Sequence, residues 1–208
     1  MNVYSAIEAK FGFAIPAVYR RIEAEGSFKL RHPGQFFDPA NEPTYLWIPE
    51  AEWLQPEEIL AYTPYPEALP GFIPFALTGA GDYWCWWPKE NAEVVVQCPH
   101  DSSFGRFDAP NLMASLYRRC LEFAANDIES EQEDWVRRNF ANWAERLQHY
   151  LPQEWIDELR ALAQAPLIDS TVGKLAIRVL MTPSDCGDRV RRDLGLGRLD
   201  EEFLWCRE

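Results

Sequence analysis

The run Asp82-Tyr83-Trp84-Cys85-Trp86-Trp87 constrains this chain more than any other segment. It follows Phe72-Ile73-Pro74-Phe75-Ala76 across Thr78-Gly79-Ala80-Gly81, and two apolar runs around a glycine-bearing turn read as a β-hairpin. Side chains alternate between the faces of a strand, so Tyr83, Cys85 and Trp87 share one face and Trp84 and Trp86 the other. A sheet with one wet face would alternate apolar with polar residues. This strand does not, so both of its faces need cover. The chain after Asn126, with Trp135, Trp143 and Trp155, is the natural lid. The competing reading leaves Trp84 and Trp86 exposed as a hot-spot patch for a partner, because large aromatics dominate interface energetics.

Around the hairpin the pattern is mixed. Val3, Ile7 and Phe11 recur every four residues, predicting a helix that Gly12 stops. Pro16 opens a second helix with Val18, Tyr19 and Ile22 on its buried stripe and Gly26 at its end. Residues 28–50 read as an irregular loop, then a strand near Tyr45–Ile48. Pro56-Glu57-Glu58 starts a short helix, its carboxylates placed where the helix dipole favours negative charge. Glu93–Cys98 is a third strand, rich in valine, and Phe104–Phe107 a fourth. Asp108 is expected to cap a helix with the stripe Leu112, Met113, Leu116, Tyr117, Cys120 and Phe123. That helix closes a first unit spanning residues 1–126. Beyond it, residues 127–208 read as a helical extension packing on that unit. Ser130-x-x-Glu133 resembles a capping box, and Val136, Phe140, Trp143, Leu147 and Tyr150 form one stripe. Trp155, Leu159 and Leu162 form another after Pro152, and one or two further helices fall within 172–194. Phe203–Cys206 is a short apolar stretch expected to dock on the body.

The formal net charge is −13. Cut at Asn126, the chain holds 9 basic and 16 acidic residues before the cut and 11 and 17 after it, so the acidity reads as evenly spread. Such a surface repels nucleic-acid phosphates and anionic membranes and attracts a basic protein; solubility alone would also account for it. Asp127, Glu129, Glu131, Glu133 and Asp134 crowd one predicted helix start, and Glu50, Glu52, Glu57 and Glu58 another. The helix dipole explains both clusters, and the sharper reading is an acidic patch that docks a basic face. No stretch approaches the roughly 20 apolar residues of a membrane span. Met1–Lys10 lacks a basic and then an apolar region, so a cytoplasmic chain is expected. The five cysteines are odd in number and form no CxxC pair, which fits reduced, packed thiols.

No pattern announces chemistry. Gly79-Ala80-Gly81 lacks the Lys-Ser/Thr of a phosphate loop and leads into a strand. His32, His100 and His149 are the only histidines, and beside Cys98-Pro99-His100 nothing nearby in sequence completes a metal set. Cys186 lies between Asp185 and Asp188, whose charges would raise its thiol pKa. No catalytic, cofactor-binding or metal-ligating residue is therefore expected. A small hydrolase with a site between sheet and extension is the outlying alternative.

Phe11-Gly12-Phe13, then Ile15-Pro16-Ala17-Val18-Tyr19, and later Ile73-Pro74-Phe75-Ala76 with Gly79-Ala80-Gly81-Asp82-Tyr83, stand in the order and spacing of a known pattern. Over residues 1–126 the chain resembles the Smi/Knr-like (SUKH) superfamily; residues 127–208 lie outside the resemblance. The resemblance implies an α+β fold with a curved, largely antiparallel sheet flanked by helices. It also implies a non-catalytic protein-binding role, of the kind in which immunity proteins cover a cognate toxin or scaffold proteins organise partners. In the turn, Gly79 and Gly81 are expected to supply positive φ and Asp82 to bond the backbone. The expected partner-binding residues are Asp82, Trp84 and Trp86 with Glu57, Glu58, Glu129, Glu131 and Glu133, and the expected partner is a protein, a basic toxin domain in the immunity reading.

Overall fold

The computed structural model describes residues 2–30, 37–89 and 93–207; His32 lies outside them. In chain order the elements are α1 (Val3–Phe11), α2 (Ala17–Ala24), β1 (Glu52–Trp53), α3 (Pro56–Ala61), β2 (Ile73–Leu77), β3 (Tyr83–Trp86), β4 (Val95–Cys98), β5 (Phe104–Ala109) and α4 (Leu112–Ala124). A 3-10 turn at Ser130–Gln132 leads to α5 (Glu133–Leu147), α6 (Gln153–Gln164), β6 (Ile168–Val172), β7 (Leu175–Val179), α7 (Pro183–Leu194) and β8 (Glu202–Leu204). The fold is α+β. A six-stranded antiparallel sheet runs in the order β1-β2-β3-β4-β5-β8, and β6 and β7 form a separate two-stranded sheet.

The chain divides into two compact units that interleave in sequence. The first holds Met1–Phe28, Glu50–Ser115 and Gly195–Glu208, and the second Lys29–Pro49 and Leu116–Leu194. This division differs from a single cut at Asn126. The loop before β1 belongs with the later helices, while the last residues return to add β8 to the large sheet.

Within the first unit, local chemistry sets the helix ends. The Asn2 side chain accepts from the backbone N–H of Tyr4 at 2.7 Å, and Gly12, at φ 64°, ends α1. Ile15 and Pro16 then lead into α2, which buries Tyr19 and Ile22. The hairpin β2–β3 forms as expected, but its turn differs in two details. Only Gly81 has positive φ, at 95°. The turn's side-chain bond comes from Thr78, whose Oγ1 accepts from the Asp82 N–H at 3.0 Å. A residue beside a turn can serve the backbone only if its side chain is not drawn elsewhere, and the Asp82 carboxylate turns toward His100.

Both faces of β3 are covered by residues of the same unit. Trp84 and Trp86 are 2% and 0% exposed. The Trp86 ring packs on Phe13, Tyr19 and Phe75, with centroids 5.7, 5.2 and 4.7 Å away. The Trp84 indole donates to the Glu50 carbonyl at 2.6 Å. On the opposite face, Cys85 and Trp87 join Phe72, Val96, Phe107, Phe203 and Trp205 in one cluster. Where β5 meets β8, Gly105 pairs with Phe203, and a Cβ on Gly105 would meet the Gln97 carbonyl oxygen and the Phe203 ring at 2.7 Å each. Asp108, expected as a helix cap, lies in β5 and accepts from the Ser115 hydroxyl. The cap of α4 is Asn111, whose Oδ1 accepts from the Ala114 N–H at 2.9 Å.

The second unit has its own aromatic core. Trp47 stacks on Trp143 at 5.8 Å, and the Trp143 indole donates to the Trp47 carbonyl at 2.6 Å. Trp135 donates to the Phe37 carbonyl at 2.7 Å, and Trp155 stacks on Tyr117 at 4.4 Å. Of the three tryptophans expected as a lid for β3, Trp143 is buried in the core of this unit, while Trp135 and Trp155 lie half-buried against Trp47 and Tyr117 of the same unit. Val136, Phe140, Trp143 and Leu147 are buried on α5, as their spacing predicts. Residues 127–194 are not wholly helical. The stretch 168–179 is a hairpin closed by Gly173 at φ 60°, and α7 is the single helix that follows. No extended strand forms over Tyr45–Ile48; only Ile48 makes a single β-bridge, and Tyr45, Leu46 and Ile48 are buried.

Candidate functional site

The interleaving changes where the charge lies. The first unit contains 7 basic and 17 acidic residues, a net of −10, and the second 13 and 16, a net of −3. A cut at Asn126 hides this asymmetry because it separates residues 195–208, net −2, from the first unit and adds residues 116–126, net +1, to it.

In the first unit α1, α2 and α3 gather carboxylates from separate parts of the sequence. Glu57 and Glu58 stand exposed in the first turn of α3, where Glu58 accepts from the Gln55 N–H at 2.6 Å. Glu23 of α2 accepts from the Tyr4 hydroxyl at 3.1 Å. Burial first, then the charges of Glu23 and its neighbours, hold the Tyr4 and Tyr19 phenols well above their ordinary range, and Glu57 acts on both. Both carboxylates thus bear on the same two phenols. Arg20 partly offsets it and is itself bonded to Glu8.

The other expected partner-binding residues do not assemble with this group. Trp84 and Trp86 are core side chains and present no surface; Phe13, Tyr19 and Phe75 pack on Trp86, and the Trp84 indole is tied to the Glu50 carbonyl. Glu129, Glu131 and Glu133 belong to the second unit. Glu129 and Glu131 are exposed, whereas Glu133 accepts from Arg137 at 2.8 Å, an ordinary i, i+4 pair supporting α5.

Asp82 belongs to a different arrangement, one not legible from the sequence. Pairing of β3 with β4 sets Tyr83 opposite Cys98, which brings Asp82 beside the turn that follows β4. There Asp82 Oδ1 accepts from the His100 N–H at 3.1 Å and lies 2.8 Å from His100 Nδ1. Asp101 completes a group whose donor atoms all lie within 4.8 Å of one another. The cluster adjoins a cleft of about 400 Å³. Tyr65 and Glu67 line one side, His100, Asp101, Ser102 and Ser103 the other, and Trp205 and Cys206 the floor. The cleft is held by the backbone: Trp205 donates to the Ser103 carbonyl at 3.0 Å, Leu69 to the Trp205 carbonyl at 2.7 Å and Arg207 to the Glu67 carbonyl at 2.8 Å. Burial, and then the neighbouring Tyr65 hydroxyl, push Tyr83 behind this cleft up to about 12. The sequence reading left His100 without a completed set because its partner Asp82 lies on another strand.

The thiols of Cys85, Cys120 and Cys186 are poor nucleophiles as placed. Burial raises Cys85 and Cys120 far above the usual thiol range. Cys186 is pushed up to about 11 by burial and then by the charge of Glu122, the direction expected from the sequence but from another cause than Asp185 and Asp188. In the second unit a groove of about 410 Å³ runs over Leu162, Ile168, Leu180 and Met181, edged by Glu158 bonded to Arg189. Among the described residues, no helix is long and apolar enough to cross a membrane.

The fold and these surfaces define an α+β protein with a strongly acidic first unit. No protein-family model, no curated protein and no solved structure matches the chain.

Proposed function

We propose that this chain is a non-catalytic, cytoplasmic protein-binding domain that occludes a basic partner through the acidic face of its first unit. The reading follows the resemblance of residues 1–126 to Smi/Knr-like proteins, and the partner it favours is a toxin domain neutralised by stoichiometric binding. The observation that carries it is the concentration of charge: a net of −10 on the first unit, with Glu57 and Glu58 exposed in the first turn of α3. Such a surface steers a cationic partner and raises its on-rate, and it suppresses acidic competitors by repulsion. A standard interface of about 800 Å² per partner needs only a few such carboxylates around its rim.

The test is co-expression with the product of the neighbouring reading frame, followed by growth rescue and calorimetry on the purified pair. A one-to-one complex is expected, with affinity that falls as salt rises. Glu57→Lys should weaken it at least tenfold while leaving the melting temperature within about 2 °C, since exposed substitutions of this kind cost little stability. An unbiased pull-down from lysate covers partners other than that neighbour. A salt-independent complex, or one that Glu57→Lys leaves unchanged, would overturn the acidic face as the binding surface.

A further inference from the structure

We propose that Asp82, His100 and Asp101 form a binding site for a divalent transition-metal cation at the mouth of the cleft in the first unit. The inference is independent of the protein-binding reading and rests on the geometry of the turn after β4. One imidazole nitrogen and two carboxylates lie within 4.8 Å of one another. Donors about 2.0–2.2 Å from a shared zinc-like ion sit roughly 3–3.5 Å apart, so small rotations of exposed side chains suffice. His100 Nδ1 and Asp82 Oδ1, at 2.8 Å, are already closer than that.

Three features favour an ion over a simple hydrogen-bonded turn. First, Asp82 and His100 are fixed by the sheet. The β3–β4 register sets their backbones side by side, and the His100 N–H to Asp82 bond holds the carboxylate there. Second, the described residues lining the cleft include Glu67 beside Asp101 and no lysine or arginine, so the lining itself supplies no fixed cation. Third, His100 and Asp101 also line the cleft, so an ion held by three protein ligands would keep an open position on the cleft side. Three protein ligands would leave the fourth position to an exchangeable ligand such as water.

The mixed nitrogen and oxygen set selects the class of ion. Calcium and magnesium take oxygen ligands almost exclusively, whereas imidazole with carboxylates suits zinc, cobalt and manganese. Nδ1 would coordinate the ion through its lone pair in the tautomer whose proton sits on Nε2.

The experiment uses the full chain stripped by a chelator and titrated with Co²⁺ by visible absorption, then with Zn²⁺ by calorimetry. One equivalent of each should bind, and Zn²⁺ should displace Co²⁺. His100→Ala and Asp101→Asn should each weaken binding at least tenfold, and His149→Ala should leave it unchanged. Asp101 is exposed, so Asp101→Asn is expected to melt like the parent chain and stands as the decisive variant if His100→Ala disturbs the turn. The proposal falls if the parent chain takes up no metal, or if Asp101→Asn and His100→Ala bind it as tightly as the parent.

Discussion

Trp86 carries the heaviest packing duty of any residue in β3. It is fully buried, and three aromatic rings from α2, β2 and the segment after α1 close over it. Trp86→Ala should therefore cost about 3–5 kcal/mol, the usual range for emptying a large aromatic site. The indole Nε1 of Trp86 has no hydrogen-bond partner among the described residues. Trp86→Phe leaves no orphaned donor and should be clearly milder, a contrast that urea unfolding of the two variants would show. Equal losses would mean that a phenyl ring does not keep the packing against Phe13, Tyr19 and Phe75. The alternation of Tyr83 to Trp87 identified which residues share a face, because that depends only on strand geometry. It left open whether Trp84 and Trp86 are covered or exposed, because that depends on Phe13 and Tyr19, which lie far away in sequence.

At the scale of elements, β8 is the least predictable piece and one of the most constrained. It pairs with β5 through Phe104 to Leu204, Gly105 to Phe203 and Arg106 to Glu202. Gly105 has ordinary backbone angles, and its small size is needed for space alone. Gly105→Ala sets a methyl against the Gln97 carbonyl and the Phe203 ring, both at 2.7 Å. Overpacking of this kind costs about 1–3 kcal/mol. Thermal melting should show the loss, and Phe203→Ala in the same background should recover none of it if the Gln97 carbonyl is the harder obstacle. Phe203–Cys206 was legible as an apolar stretch that docks, but no local rule says that it docks as a strand. The hairpin β6–β7 was hidden for a related reason. Val172-Gly173-Lys174-Leu175 is a weak turn signal beside Pro183 and the helical pattern after it, and pairing of Ile168 with Val179 supplies what local propensity lacks.

At the scale of the molecule, buried phenols set an alkaline limit. Tyr4, Tyr19, Tyr62 and Tyr117 are held far above their ordinary range, chiefly by burial, and Tyr83 rises to about 12. A phenol whose folded pKa exceeds the unfolded value of about 10 favours the native state below that pH. This stability is then lost as pH rises through the folded values. The chain should hold its fold to about pH 10 and unfold above it, with phenolate absorbance and loss of circular dichroism rising together. Four of these five tyrosines belong to the first unit, which should therefore open first. Phenolate appearing while the dichroism stays native would contradict this. What the sequence alone determined is the central hairpin, the amphipathic helices and the mixed α+β class. Each follows from residues close enough in the chain for side-chain period and turn chemistry to read. What only the tertiary structure decided is which segments cover β3, which carboxylates share the α1–α3 face, and that Asp82 meets His100 and Asp101. Those outcomes depend on strand register and on chain returns between distant segments, and such contacts leave no local periodicity to read.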